Sequence, residues 1–128
     1  MGQCYTTYLK VRFNDEQGAV KAIQNMLTDN GEYTLDDYSK HTGLDYNTID
    51  GILRHFYANW EDGHKWTKTT DPDILSGDFN ATYSWESKMI EVFQLLAPFL
   101  EDGSSLKIYP DSDYDHLVVK DGKAVMIH

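Results

Sequence analysis

Carboxylates are the most numerous ionisable side chains in the middle of this sequence. Residues 29–85 contain 11 Asp and Glu against 4 Lys and Arg, a net charge of −7, whereas residues 1–28 have a net charge of +1. Such a surface can keep a protein soluble, or it can attract the cationic groups of a basic partner. The partner-binding candidates in this segment are Asp36, Asp37, Asp45, Asp50, Glu61 and Asp62.

Residues 34–56 resemble a helix-turn-helix, in which Gly43 would be the turn glycine. In this alternative the chain is a DNA-binding regulator, and its DNA-binding residues are Tyr46, Asn47 and Arg54. Asp45 and Asp50 would then face the phosphates, and few cations lie near enough to neutralise those phosphates. A helical hairpin packed on a sheet is the structural alternative.

Three aspartates, Asp111, Asp113 and Asp115, have the spacing of the first ligands of an EF-hand calcium loop. That loop needs glycine at its sixth position and glutamate at its twelfth. Here these positions are His116 and Gly122, so the pattern favours an acidic turn. We predict no metal site and no cofactor.

Cys4 is the only cysteine, and it lies at the start of a predicted strand rather than at the N-terminus of a helix, which would lower the pKa of its thiol. The histidines have no metal-binding spacing; they are His41, His55, His64, His116 and His128. We therefore expect no enzyme activity.

Four aromatic residues cluster in sequence around the predicted core: Trp60, Trp66, Tyr83 and Trp85. Trp60 and Trp66 are further partner-binding candidates, because tryptophan is enriched at interface hot spots. Base stacking on these rings would need flanking cations, and only Lys65 and Lys68 lie near Trp66. Packing within the core is the alternative use.

The composition predicts a single domain of 128 residues with a net charge of −10 and an apolar fraction of 41%. This charge repels nucleic-acid phosphates and anionic membranes, so direct binding to nucleic acid is disfavoured. We expect no membrane span, no signal peptide and a cytoplasmic protein. The oligomeric state is not predicted by the sequence.

Hydrophobic periodicity predicts strands and helices that alternate along the chain. The predicted elements are a strand at 4–13, a helix capped by Asn14, a short helix from Thr34 to Gly43, a helix from Asp45 or Asn47 to Trp60, strands at His64–Thr70 and 78–85, a helix capped by Ser84 or Ser87 that ends before Pro98, a strand at 105–109, and a hairpin around Asp121-Gly122. This order predicts an α+β, ferredoxin-like split βαβ sandwich with a two-helix insertion at about 33–62 and a C-terminal β-hairpin.

Residues 78–125 resemble the C-terminal half of the small YubB-type ferredoxin-like domains of bacteria, plasmids and phages. The resemblance rests on aromatics that end a strand, a proline near a helix end and a turn glycine in a final hairpin; these are Tyr83 and Trp85, Pro98, and Gly122. The start MGQCYTTYLKV is also similar, whereas residues 30–62 are not covered. The resemblance implies a ferredoxin-like sandwich from a mobile element or gut bacterium, and it implies no activity.

Together these observations lead to the expectation of a non-catalytic acidic interaction protein of bacterial or phage origin. In a sharper form the acidic residues imitate nucleic acid and inhibit a host defence or DNA-binding protein, so the partner is basic. The alternatives are the helix-turn-helix regulator and a protein with a small-molecule site.

Overall fold

The computed structural model describes residues 2–29, 31–57, 74–82, 85–109 and 115–127, with the backbone alone for 2–4 and 74–82. The predicted strand at His64–Thr70 lies outside these residues, as do the candidates Trp60, Glu61, Asp62 and Trp66.

Strands and helices alternate along the described chain. In order they are β1 (Gly2–Lys10), α1 (Glu16–Thr28), α2 (Leu35–Thr42), α3 (Ile49–Tyr57), β2 (Ile74–Thr82), α4 (Trp85–Leu96), a 3-10 turn (Ala97–Phe99), β3 (Ser105–Tyr109), β4 (Asp115–Lys120) and β5 (Lys123–Met126). The predicted α+β class is confirmed.

The strands form one five-stranded sheet in the order β2-β1-β3-β4-β5. Each neighbouring pair is antiparallel. Because β2 and β3 are both antiparallel to β1, they run parallel to each other, with β1 between them. Helix α4 connects these two strands, and this arrangement is a split βαβ unit.

The core lies on one face of the sheet, between the strands and the helices. Alternate residues of β1, β3 and β4 are buried, whereas the residues between them point away from the helices. The helices contribute apolar side chains to the same cluster, including Ile23 of α1, Ile52 and Phe56 of α3, and Phe93 of α4. Helix α3 is therefore part of the core and not an appendage.

One predicted helix cap was wrong, and one alternative for another cap is excluded. Asp15, not Asn14, caps α1, and its carboxylate accepts a hydrogen bond from the Gly18 amide at 3.0 Å. Asn14 is instead bound to the segment after α4: its amide donates to the Phe99 carbonyl at 2.9 Å and its side chain to the Leu100 carbonyl at 3.3 Å. Of the two caps predicted for α4, Ser87 lies inside the helix, which begins at Trp85, and Ser84 lies outside the described residues.

Other predicted boundaries are confirmed. Thr34 and Asp37 form the capping box of α2, and Gly43 ends that helix with a φ of 79°. Helix α4 stops at Leu96 and gives way to the 3-10 turn that contains Pro98. The chain reverses between β4 and β5 at Asp121 and Gly122, both with positive φ, as expected of a two-residue hairpin turn.

Helix α3 begins at Ile49, later than predicted, because the preceding residues form a turn. The Asp45 carboxylate accepts a hydrogen bond from the Asn47 amide at 3.0 Å, and the Asp45 carbonyl accepts one from the Thr48 hydroxyl at 2.8 Å. Gly51 has a close neighbour in this turn: a Cβ there would lie 2.0 Å from the Asp45 carbonyl oxygen. Glycine is therefore needed at position 51 for steric reasons.

Candidate functional site

Exposed carboxylates are concentrated on and beside α2. The residues are Asp29, Glu32, Asp36, Asp37 and Asp45, all exposed, and together we call them the acidic helical surface. Asp29 follows α1, and Asp45 lies in the turn before α3. Helix α2 buries no residue, so it contributes more to the surface than to the core. Tyr33, beside this surface, has 55% of its area exposed.

Hydrogen bonds hold α2 in place despite its small buried area. The Tyr38 hydroxyl donates to the Leu27 carbonyl at 3.3 Å, and the Ser39 hydroxyl donates to the Leu44 carbonyl at 2.8 Å. The Asp37 carboxylate accepts from the Thr34 amide at 2.9 Å. This backbone bond, assisted by the Thr34 hydroxyl, lowers the pKa of Asp37 below its ordinary value. The acidic helical surface therefore sits on a fixed support.

Asp50 differs from the other carboxylate candidates in its environment. It lies 3.6 Å from the Arg54 guanidinium, one helical turn away, with 29% of its side chain exposed. The Arg54 side chain is only 12% exposed. The ion pair is thus internal to α3, and Asp50 is less accessible to a partner than Asp36, whose side chain is 81% exposed.

The residues assigned to DNA binding in the helix-turn-helix alternative have structural contacts. Tyr46 is buried, and its hydroxyl lies 2.6 Å from Nδ1 of His55. The Asn47 side chain accepts a hydrogen bond from Gln24 at 3.2 Å, and Arg54 pairs with Asp50. Six of the nine residues of α3 are buried, so this helix does not offer the free face that a recognition helix needs. The geometry therefore favours the helical hairpin over DNA binding.

His55 occupies a largely buried aromatic environment between α2, α3 and α4. Its ring centroid is 4.6 Å from that of Phe56 and 6.0 Å from those of Tyr38 and Trp85. Burial is the main cause that lowers the pKa of His55 to about 4, and it raises the pKa of Tyr46. His55 is thus uncharged at neutral pH.

Trp85 joins two helices rather than forming an exposed anchor. Its indole nitrogen donates to the Phe56 carbonyl at 3.1 Å, and its ring stacks on that of Phe56 with centroids 5.7 Å apart. Tyr83, predicted to lie beside it, is outside the described residues. The core-packing use of the aromatics therefore applies to Trp85.

Metal chemistry has no candidate in the described ranges. No group of three or more His, Cys, Asp or Glu there could hold a metal ion. Asp111 and Asp113 lie outside those ranges, as do His64 and His128, and the side chain of Cys4 is not described. Within the same ranges, no helix has the length and apolarity to cross a membrane.

The second candidate surface is the face of the sheet that points away from the helices. We call it the open sheet face: Thr6, Tyr8 and Lys10 of β1 with Ser105, Lys107 and Tyr109 of β3. These six residues line a shallow concavity of about 510 Å³. The Tyr8 and Tyr109 rings meet edge to face, with centroids 5.8 Å apart, and are 45% and 38% exposed. The volume lies within the range of roughly 300–1,000 Å³ typical of ligand sites.

Sequence reasoning did not select Tyr8 and Tyr109 as candidate site residues. The available signal was the alternation of each strand: Tyr8 lies between buried Thr7 and Leu9, and Tyr109 follows buried Ile108. What the sequence did not show is that β1 and β3 are neighbours, which is what brings the two rings together.

Comparison with family models, curated proteins and solved structures found no match. The resemblance to YubB-type domains therefore stays a prediction.

Proposed function

We propose that this protein is a non-catalytic interaction protein whose acidic helical surface binds a basic partner protein. The observation that carries the proposal is that α2 buries no residue yet is fixed in position by capping and side-chain hydrogen bonds. A helix held in this way presents its outward side chains with little loss of conformational entropy on binding.

The charge of this surface supports a cationic partner. From Asp29 to Asp45 there are five exposed carboxylates, and the only lysine is Lys40. Lys40 lies 3.6 Å from Asp36, and both side chains are largely exposed, so the pair contributes little and either member can exchange to a partner. Carboxylates on one side of a partner interface accelerate association with a basic protein and exclude acidic ones.

In its sharper form, the proposal is that the partner is a nucleic-acid-binding protein. The carboxylates would occupy the positions that phosphates take, and the chain would inhibit a host defence or DNA-binding protein in the manner of a nucleic-acid mimic. The setting would be the cytoplasm of a bacterium that carries a phage or another mobile element. Tyr33 supplies an aromatic group next to these charges, a residue type enriched at interface hot spots.

We also propose that the architecture is ferredoxin-like and related to the YubB-type domains. The support is the split βαβ unit formed by β2, α4 and β3 around β1. The hairpin of β4 and β5 extends the sheet beyond β3.

The test is affinity capture from nuclease-treated bacterial lysate with the wild-type protein and a charge-reversed variant. The variant is Asp29→Lys with Asp36→Lys. Asp37 and Asp50 are left unchanged, because Asp37 belongs to the capping box of α2 and Asp50 pairs with Arg54. We expect a basic protein to be captured by the wild type and lost, by tenfold or more, with the variant.

The matched control reverses two exposed carboxylates at other places, Glu91→Lys with Glu101→Lys. It has the same change in net charge and should retain the partner. Equal loss of capture with both variants would show that only net charge matters, and undiminished capture by the Asp29→Lys, Asp36→Lys variant would overturn the proposal.

A further inference from the structure

We infer that the open sheet face binds single-stranded nucleic acid, with bases on Tyr8 and Tyr109 and phosphates beside Lys10 and Lys107. This site is separate from the acidic helical surface and does not depend on the function proposed for it.

The strand register decides which side chains share the open sheet face. Residues directly opposite each other in an antiparallel pair point to the same face. The register places Tyr8 opposite Lys107, and Lys107 opposite His116, so these three residues form one row across β1, β3 and β4. Thr6 lies opposite Tyr109 in the next row. The aromatic and cationic groups are therefore interleaved on one surface.

The charged side chains of the open sheet face are mainly lysines. The outward positions of β4 and β5 continue it with His116, Val118, Lys120, Lys123 and Val125, since Val118 pairs with Val125 and Lys120 with Lys123. Among the outward side chains that the structure describes on β1, β3, β4 and β5, four are lysine and none is Asp or Glu. On β2, whose side chains the structure does not describe, the register places Asp78 opposite Thr6. Even with that carboxylate counted, the four lysines make this face locally cationic in a chain with a net charge of −10.

The two tyrosine rings of this face are partly exposed to solvent. Tyr8 and Tyr109 are large aromatic side chains that remain 45% and 38% exposed on two central strands, where burial would otherwise be favourable. Their edge-to-face contact leaves ring surface available over the 510 Å³ concavity. Proteins that bind single strands without strong sequence preference combine such rings with flanking cations.

The net charge does not exclude this ligand. Charges separated by more than a Debye length, about 10 Å at 0.1 M salt, are largely screened from each other. The acidic helical surface belongs to the helical layer, on the other side of the sheet from the lysines. A single strand on the open sheet face therefore interacts mainly with the nearby lysines, and duplex DNA is disfavoured because its stacked bases cannot reach the tyrosines.

Charge also argues against a second copy of the chain as the occupant. A two-fold contact through this face would place its lysines near the same lysines of the other copy, which is unfavourable. A basic protein is disfavoured for the same reason.

The experiment is fluorescence anisotropy with fluorescein-labelled dT12 and rU12 single strands at 50 mM NaCl. We expect binding by the wild type, with Tyr8→Ala and Tyr109→Ala each weakening affinity about 5- to 100-fold. Tyr8→Phe keeps the ring and should restore most of the affinity. Because each neutralised phosphate of a single strand contributes a slope of about 0.7, replacing Lys10 and Lys107 by Gln should reduce the salt dependence by about 1.4.

Tyr33→Ala and Lys40→Gln are matched controls on the other surface, and neither should change the affinity. Circular dichroism melting verifies that every variant is folded. The inference would be overturned if the wild type did not bind at low salt or if the tyrosine variants bound as tightly as the wild type. It would also be overturned if a duplex bound as tightly as the single strands. Sedimentation that shows a dimer lost on Tyr8→Ala would assign the face to a second copy.

Discussion

The buried histidine of α3 provides a quantitative test of this structure. In the folded protein the pKa of His55 is lowered to about 4, first by burial and then by the charge of His41. In the unfolded chain a histidine has a pKa of about 6.5. Between these two values the unfolded chain binds a proton that the folded protein excludes, so the free energy of unfolding falls as the pH falls.

The contribution of His55 to stability is therefore fully present above pH 6.5 and is lost as the pH decreases through 6.5 to 4. Its slope is about 1.4 kcal/mol per pH unit within this window, and the total is about 3 kcal/mol. At pH 5 the loss is about 2 kcal/mol. Nδ1 of His55 lies 2.6 Å from the Tyr46 hydroxyl, and which of the two donates in that hydrogen bond depends on the tautomer of the neutral ring.

The assay is urea unfolding of the wild type and His55→Gln at pH 7.0 and 5.0, followed by circular dichroism. The variant is less stable at both pH values because it loses ring contacts, so the informative quantity is the difference in pH dependence. We expect the wild type to lose about 2 kcal/mol more than the variant. His116→Gln removes a histidine on the open sheet face, which is not among the causes that lower the pKa of His55, and serves as the control. Parallel losses in wild type and His55→Gln would refute the reasoning.

Three further predictions concern stability and can be measured by urea unfolding at pH 7. Gly51→Ala would stabilise an ordinary helix by about 1 kcal/mol, but here it should destabilise by about 2 kcal/mol or more because the added Cβ meets the Asp45 carbonyl at 2.0 Å; a gain in stability would contradict this geometry. Thr34→Ala should cost about 1 kcal/mol by removing the capping box of α2, and Thr34→Ser should restore most of it. Tyr57→Phe should cost about 1–2 kcal/mol because it removes a buried hydrogen bond of 2.7 Å to the Met89 carbonyl; an unchanged midpoint would show that this bond contributes nothing.

The two proposed surfaces are tested by different variants in two separate assays. Asp29→Lys with Asp36→Lys should abolish capture of a basic protein and leave the affinity for the oligonucleotide unchanged. Tyr8→Ala should weaken the affinity for the oligonucleotide and leave capture of the basic protein unchanged. Either surface can therefore fail its test without affecting the conclusion about the other.

The sequence by itself determined the local elements. Periodicity of apolar residues placed the helices and the strands, and capping residues such as Thr34, Gly43 and Gly122 placed several ends, because caps and turns depend on backbone dihedrals and on neighbours within a few residues. It failed at Asn14, where Asp15 is the cap, because two adjacent residues were both suitable and the contacts of Asn14 with Phe99 and Leu100, distant in the chain, decided between them.

Only the tertiary structure decided which residues share a surface. Sequence reasoning selected Asp36 and Asp50 together, yet one is exposed and the other pairs with Arg54 inside the helical layer. It also did not join Tyr8 to Tyr109, which are far apart in the chain and adjacent only because β1 and β3 pair in one register. Burial and strand register arise from contacts between distant segments, and no local pattern encodes those contacts.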